Sequence, residues 1–306
     1  MAEPPYGIIW NRLKCGKVVP FLGAGASFVG RQDSAKWLKP EDEFLPSGQE
    51  LANFLALEAE FPSDIPNDRE DLSKVSSYYV DIAGRCCLRE RLHEVFNRNY
   101  RHGALHQFLA EVPCPMVIVV TNYDTLLEEA FRAANRPFDL VIYPSDRKDI
   151  AGSVIWQQYG KDEPQEFAPN DLDIDLEHTT VIFKMHGSTL RDSVDFDNYV
   201  ITEEDYVEFL SRMTMRQAIP HLFYPHFRQR SFLFLGYSLR DWNLRVVLKN
   251  LSKYFSCQNG EDPFPSWAIQ HNPSELDRKL WEKRNVTIFD VTIEEFVHKI
   301  RDRMRC

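Results

Sequence analysis

The sequence predicts an α/β fold built on a doubly wound, mainly parallel sheet with a helical insertion after its first strand. Short apolar runs rich in β-branched residues, such as Val117-Ile118-Val119-Val120, recur along the chain at a length suited to strands buried on both faces. Segments with apolar residues at helical spacing lie between them. Several of these strands stop abruptly in glycine or small polar residues, which is where ligands sit in open α/β sheets.

The first strand is Val18-Val19-Pro20-Phe21-Leu22, followed at once by Gly23-Ala24-Gly25-Ala26-Ser27. Glycines there let the backbone turn tightly and approach a phosphate with no Cβ in the way. A helix starting near Ser27 would add free N–H groups and a favourable dipole. The alternative is a structural turn that binds nothing. The usual dinucleotide fingerprint is absent, because Phe28 occupies its third glycine position. Residues 31 to 50 are polar and end in Leu45-Pro46-Ser47-Gly48, either a loop over a pocket or a plain surface connection. From about residue 50 to 112 three apolar faces succeed one another, on Leu51, Phe54, Leu55 and Ala59, then Leu88, Leu92, Val95 and Phe96, then Leu105, Phe108, Leu109 and Val112. No strand pattern interrupts them, which gives the helical insertion. His102 and His106 lie four apart in it without an acidic or cysteine partner at ligand spacing, so they are expected to be exposed rather than metal-bound.

The second strand, Val117 to Val120, ends in Thr121-Asn122-Tyr123-Asp124, and Leu127, Ala130, Phe131 and Ala134 then repeat at helical spacing. Asn122 and Asp124 either work on a ligand or cap the next helix. Leu140-Val141-Ile142-Tyr143 reads as a short strand, and an acidic loop is expected from about 145 to 178. Asp171, Asp173 and Asp175 do not make a calcium loop, because Leu176 and Ile182 stand where Gly and Glu are needed. Thr180 to Met185 is the next strand, ending in His186-Gly187-Ser188, with His186 either aimed at a pocket or a hydrogen-bonded structural histidine. Thr202 and Asp205 make a capping box for a helix. Pro225 separates His221 from His226 and leaves them no common helical face for a metal. Phe232-Leu233-Phe234-Leu235 is turned by Gly236-Tyr237-Ser238 into a helix carrying Leu244, Val247, Leu248, Leu251 and Phe255. The last strands are Trp267 to Ile269, leading to Asn272, and Val286 to Phe289, before an amphipathic helix over Ile293, Phe296, Val297, Ile300 and Met304. This alternation is Rossmann-like, and with no repeat or linker the chain is expected to form a single domain over 1–306.

Composition narrows the function. A hydrophobic content of 43% and a charged content of 27% are those of a globular protein. The net charge of -10 argues against a broad phosphate-neutralising surface, so direct nucleic-acid binding is not expected, despite the basic tail near Lys299, Arg301, Arg303 and Arg305. No apolar run spans a membrane and the N-terminus lacks a basic-then-apolar signal, so a cytoplasmic location is expected. The six cysteines form no C-x-x-C pair and read as reduced, structural thiols.

Taken together, the strand-end motifs resemble those of the sirtuin-type NAD domain. Gly23-Ala24-Gly25-Ala26-Ser27 is similar to that family's Gly-Ala-Gly-x-Ser turn, and Thr121-Asn122-Tyr123-Asp124 to its Thr-Gln-Asn-x-Asp segment with one residue fewer. His186-Gly187 is similar to its His-Gly pair, Gly236-Tyr237-Ser238 to its Gly-Thr-Ser turn, and Asn272 to the Asn after the next strand. The order is kept from about residue 15 to 290. The two C-x-x-C pairs of the protein-deacylating zinc ribbon are missing, as is the Gly-Ile-Pro-Asp-Phe-Arg loop, and the wording resembles the sirtuin-like NAD hydrolases of bacterial antiphage defence.

The resemblance implies NAD as substrate, no metal, and hydrolysis to nicotinamide and ADP-ribose through an oxocarbenium-like state. It makes His186 the general base, acting as a neutral imidazole near its ordinary pKa on water or a ribose hydroxyl, with Asn122 orienting the ribose or the water. Asp124 would grip the nicotinamide amide. Gly23, Ala24, Gly25 and Ser27 would cradle the pyrophosphate, Ser238 would meet a phosphate or the adenosine ribose, and Thr121, Gly236 and Asn272 complete the binding set. An unchecked NAD hydrolase harms its own cell, so gating is expected from a homo-oligomer or from a partner chain such as the ATPase or nuclease of a defence operon. NAD-dependent protein deacylation or ADP-ribosyl transfer is an alternative that the missing zinc ribbon disfavours. A non-catalytic module sensing NAD or ADP-ribose is another, disfavoured by the retention of Asn122 and His186.

Overall fold

The computed structural model describes residues 3–304, except 33, 145–151, 162, 191–195, 216 and 238–263. Ser238 and the helix expected beyond it lie outside the described residues. Helix α1 (Tyr6–Leu13) leads into β1 (Val18–Leu22), and the 3-10 turn Ala24–Phe28 follows. The insertion is helical as expected: α2 (Gly48–Glu58), α3 (Pro66–Arg69), α4 (Leu72–Ala83), α5 (Arg85–Phe96) and α6 (Ala104–Glu111) all precede β2 (Val117–Val120). Ser47 and Glu50 start α2 with a reciprocal capping box. Then come α7 (Leu126–Ala133), β3 (Asp139–Ile142), β4 (Val154–Gln157), β5 (Gln165–Phe167), β6 (Val181–Lys184), β7 (Gly187–Ser188), β8 (Asn198–Tyr199), α8 (Glu203–Thr214) and α9 (Phe223–Arg228). The chain closes with β9 (Ser231–Leu235), β10 (Ser266–Ile269), α10 (Glu275–Glu282), β11 (Val286–Phe289) and α11 (Ile293–Met304).

The nine-stranded sheet runs β11-β10-β9-β1-β2-β6-β3-β4-β5. Pairings from β11 to β3 are parallel, and β4 and β5 add an antiparallel edge. From β1 the chain first builds towards β2, β6 and β3, then returns to place β9 on the other side of β1. The strand order therefore reverses between β1 and β9, the switch point where a Rossmann-like sheet opens a crevice. Alternate residues of β2 serve opposite faces. Ile118 and Val120 pack with Leu105, Phe108 and Phe296, whereas Val117 and Val119 pack with Phe183, Phe209 and Phe223. A third cluster, with Leu51, Leu55, Val75, Leu88 and Leu92, belongs to the insertion and takes in Tyr199 of β8.

One expected loop is corrected. The acidic stretch of about 145–178 carries β4 and β5, and Val154, Ile155 and Trp156 are buried in the sheet. In Asp171-Leu172-Asp173-Ile174-Asp175-Leu176 the apolar residues are buried and the aspartates exposed. That two-residue period marks an extended segment lying on the core, a pattern masked by its charge.

Candidate active site at the switch point

The motif-bearing ends of β1, β2, β6 and β9 reach one cavity. It encloses about 260 Å³, and its walls include Ser27, Asn122, Asp124, His186, Tyr206 and Tyr237. Leu45, Pro46, Ser47 and Gly48 also line it, so the polar connection after the first turn does lie over a pocket. The expected residues Thr121, Ala24 and Gly236 are in the same wall.

Asn122 is buried at the end of β2. Its amide nitrogen donates to the Gly23 carbonyl at 3.0 Å and to Ser27 Oγ at 2.7 Å. Both N–H groups are thereby spent, and Oδ1 is left without a partner among the described residues. Ser27 passes its own proton on to Asp124 Oδ2 at 2.6 Å, while Asp124 Oδ1 accepts from the Leu126 N–H at 3.0 Å. Asp124, one residue before the N-cap Thr125, therefore satisfies the first N–H of α7, and the chain Asp124–Ser27–Asn122 fixes the carboxamide from behind.

His186 lies at the end of β6 with its ring edge-on to Phe209 and Tyr206 at centroid distances of 5.0 and 5.8 Å. Its Nε2 is buried without a hydrogen-bond partner. Burial pushes its pKa down to about 4, below the ordinary value expected from sequence, because the apolar pocket disfavours the imidazolium. The ring is thus neutral at physiological pH. Gly187 sits at φ +86°, and a Cβ there would come within 2.1 Å of the Asn198 carbonyl oxygen. The Gly of the His-Gly pair is what lets β8 pass against β7.

A second cavity of about 640 Å³ lies over the ends of β9, β10 and β11 and shares Ala24, Phe28, Gly236 and Tyr237 with the first. Gly25 and Asn272 line it, and Asn272 adopts φ +49°. Between the cavities the two glycine turns touch backbone to backbone: Gly25 N–H donates to the Gly236 carbonyl at 2.8 Å. Gly236 has φ +73°, and a Cβ on it would meet Ala26 N at 2.1 Å. Tyr237 seals the junction by bonding Thr121 Oγ1 at 2.7 Å.

Of the residues singled out from sequence, Asn122, Asp124, Ser27, Thr121 and His186 converge on the first cavity, Gly25 and Asn272 on the second, and Ala24 and Gly236 on both. Gly23 lies behind, against the Tyr237 ring and the Gly236 carbonyl, and supplies the acceptor for Asn122. Sequence reasoning missed Phe96 and Tyr206, which reach the pocket from helices far along the chain and carry no local signal. His106, expected exposed, is only 2% exposed, and its Nδ1 accepts the Gly103 N–H at 3.2 Å at the start of α6. Among the described residues no group of three or more His, Cys, Asp or Glu side chains is placed to hold a metal ion.

The fold and the site define a Rossmann-like domain that presents a neutral imidazole and an oriented carboxamide to one pocket beside a topological switch point. The family model of the SIR2-like domain matches residues 116–289, more than half of the chain, and the protein belongs to that family. The chain is 20% identical over 90% of its length to defense-associated sirtuin 2 of Bacillus subtilis, covering 23% of that protein. It is 26% identical over 77% of its length to the NAD(+) hydrolase ThsA of Enterococcus faecium, covering 40% of it, and 25% identical to the ThsA of Bacillus cereus, covering 39%. The chain thus spans well under half the length of these relatives. A solved structure bearing on the mechanism and regulation of Sir2 enzymes aligns over 99% of both chains at 12% identity and a TM-score of 0.43.

Proposed function

We propose that this domain hydrolyses NAD to nicotinamide and ADP-ribose. The observation that carries the reading is that Asn122 and His186, from two adjacent parallel strands, line the same cavity at the switch point. Nicotinamide leaves as a neutral molecule, so the site needs no strong acid; it must stabilise the ribose as charge develops at C1 and bring water to the opposite face. The neutral His186 ring can take a proton from that water or from a ribose hydroxyl, which then passes to solvent. Asn122 Oδ1, its amide nitrogen already committed, is oriented to accept from the same hydroxyl or water. The first cavity holds the nicotinamide riboside half and the second the adenosine half, with Asn272 on that side.

In the arrangement observed, Asp124 spends both carboxylate oxygens within the chain. It therefore fixes Ser27 and Asn122, and a nicotinamide amide would have to share Asp124 with the Ser27 hydroxyl and the Leu126 N–H. To reach the Gly25 N–H, a pyrophosphate on this turn has to displace the Gly25–Gly236 bond. The names of the relatives support a role in depleting NAD during antiphage defence. Such an activity calls for gating, by self-assembly into a homo-oligomer or by a partner chain such as a defence-operon ATPase or nuclease.

The test is to incubate the purified protein with NAD and resolve the products by chromatography beside Asn122→Ala and His186→Ala. Both variants are expected to fold and to lose about 10²–10⁴-fold in nicotinamide release. Full turnover in either removes that residue from the mechanism, and turnover that needs an acyl-lysine peptide would make the domain a deacylase instead.

A further inference from the structure

Strand β6 reads Val-Ile-Phe-Lys, and its lysine is as buried as its neighbours, with 0% of its side chain exposed. Lysine is almost never fully enclosed unless partnered, because taking an ammonium group out of water is costly. Lys184 Nζ donates to the backbone carbonyl of Asp124 at 2.5 Å and lies 3.3 Å from Glu128 Oε1. Glu128, on the first turn of α7, is itself only 1% exposed, and neither of its oxygens makes a hydrogen bond. The carboxylate is thus committed to Lys184 and to the favourable end of the helix dipole.

The position of this pair relative to the site is informative. Val120 is in register with Lys184, and Met185 N–H donates to the Val120 carbonyl at 2.9 Å. From there the Lys184 side chain crosses above the end of β2 to the turn that carries Asn122 and Asp124, while two residues further along its own strand stands His186. One side chain therefore ties the support of the carboxamide to the strand that presents the imidazole. We infer that Lys184, held by Glu128, is a positioning residue that sets the distance between Asn122 and His186. The inference rests on the proposed hydrolase reading, in which those two residues act on one substrate. An apolar pair would fill the same space at less desolvation cost, so stability alone does not account for a charged one here.

The test is steady-state NAD hydrolysis by the full chain carrying Lys184→Met with Glu128→Leu, which removes both charges and keeps the volume. The double variant is expected to unfold at a temperature close to that of the parent, with kcat lowered about ten- to a hundredfold and KM for NAD changed little, because a misplacement of about 1 Å can cost that much. A folded double variant with parental kcat, or a loss confined to KM, overturns the inference. If the double variant does not fold, Glu128→Gln decides: a kcat lowered about threefold or more at unchanged melting temperature supports the brace, and parental kcat refutes it. Asn122→Ala and His186→Ala run alongside separate the two levels. Should the parent release no nicotinamide, the hydrolase reading fails; should either variant remain active, that residue leaves the mechanism; should both be inactive while the double variant is fully active, only the brace fails.

Discussion

Lowering the pH from about 7.5 to about 5 is expected to destabilise the fold through histidines that are buried neutral. His186 is held near 4 by burial when folded, whereas in the unfolded chain it titrates near its ordinary value of about 6.5. Below that value the unfolded chain binds a proton the folded chain refuses, so stability falls as the pH drops and goes on falling until the folded ring protonates near 4. For His186 alone the linkage amounts to about 2 kcal/mol at pH ~5 and about 3 kcal/mol once both states are protonated. His106, pushed to about 4, and His226, pushed to about 3, have the same sign, burial being the first cause in each. Their joint effect is comparable to the whole stability of an ordinary domain, so acid unfolding is expected around pH ~5. Urea midpoints measured across this range for the parent and for His186→Phe, which keeps a ring between Tyr206 and Phe209, isolate the contribution. The variant should lose about 2 kcal/mol of the pH dependence, and an unchanged slope would refute the burial argument. The same neutral ring predicts nicotinamide release that stays level through pH ~6.5, and an inflection there traced to His186 would refute it equally.

Two further outcomes follow from the geometry. Ser27→Ala removes the link between Asn122 Nδ2 and Asp124 Oδ2, at 2.7 and 2.6 Å, and is expected to lower kcat about tenfold with little change in melting temperature, measured by product release and thermal denaturation. Gly187→Ala places a Cβ 2.1 Å from the Asn198 carbonyl at φ +86°, and is expected to abolish recovery of soluble folded protein or to lower its melting temperature by well over 5 °C, about what 1 kcal/mol does in a small domain.

The strand ends were legible in the sequence because burial on both faces leaves a local mark. Val117 to Val120 and Thr180 to Met185 announce themselves as apolar runs, and the small or polar residues after them can only lie at the carboxyl edge. The insertion was legible through three helical faces in succession. The rest was hidden for identifiable reasons. In the acidic stretch the aspartates point to solvent while Leu172, Ile174 and Leu176 pack beneath, and net polarity concealed the alternation. His106 looked exposed because its acceptor role for the Gly103 N–H depends on how the loop enters α6. Lys184 carried no signal of its own inside the strand Thr180 to Met185, and only the approach of Glu128 on α7 makes it an enclosed ion-pair partner. Phe96 and Tyr206 could not be assigned to a pocket whose other walls lie tens of residues away.

Those long-range contacts explain why the helical insertion belongs to the site rather than decorating it. The His186 carbonyl accepts the Val200 N–H at 2.9 Å, and the Val200 carbonyl in turn accepts Tyr123 OH at 2.6 Å. The stretch around β8 therefore grips the ends of β2 and β6 at once. Its other side is held by the insertion: Arg85 of α5 donates to the Tyr199 carbonyl at 2.7 Å and to Asp205 at 2.8 Å. His93 of the same helix meets the buried Asp197 at 2.5 Å, a carboxyl that burial raises above its ordinary pKa and these partners draw back. Tyr199 itself is packed among Phe96 and Tyr123, so one aromatic cluster joins the insertion to the residue between Asn122 and Asp124. A parallel sheet fixes where its strands end, but not where the side chains beyond those ends will stand. Here that second task falls to helices inserted between the first two strands.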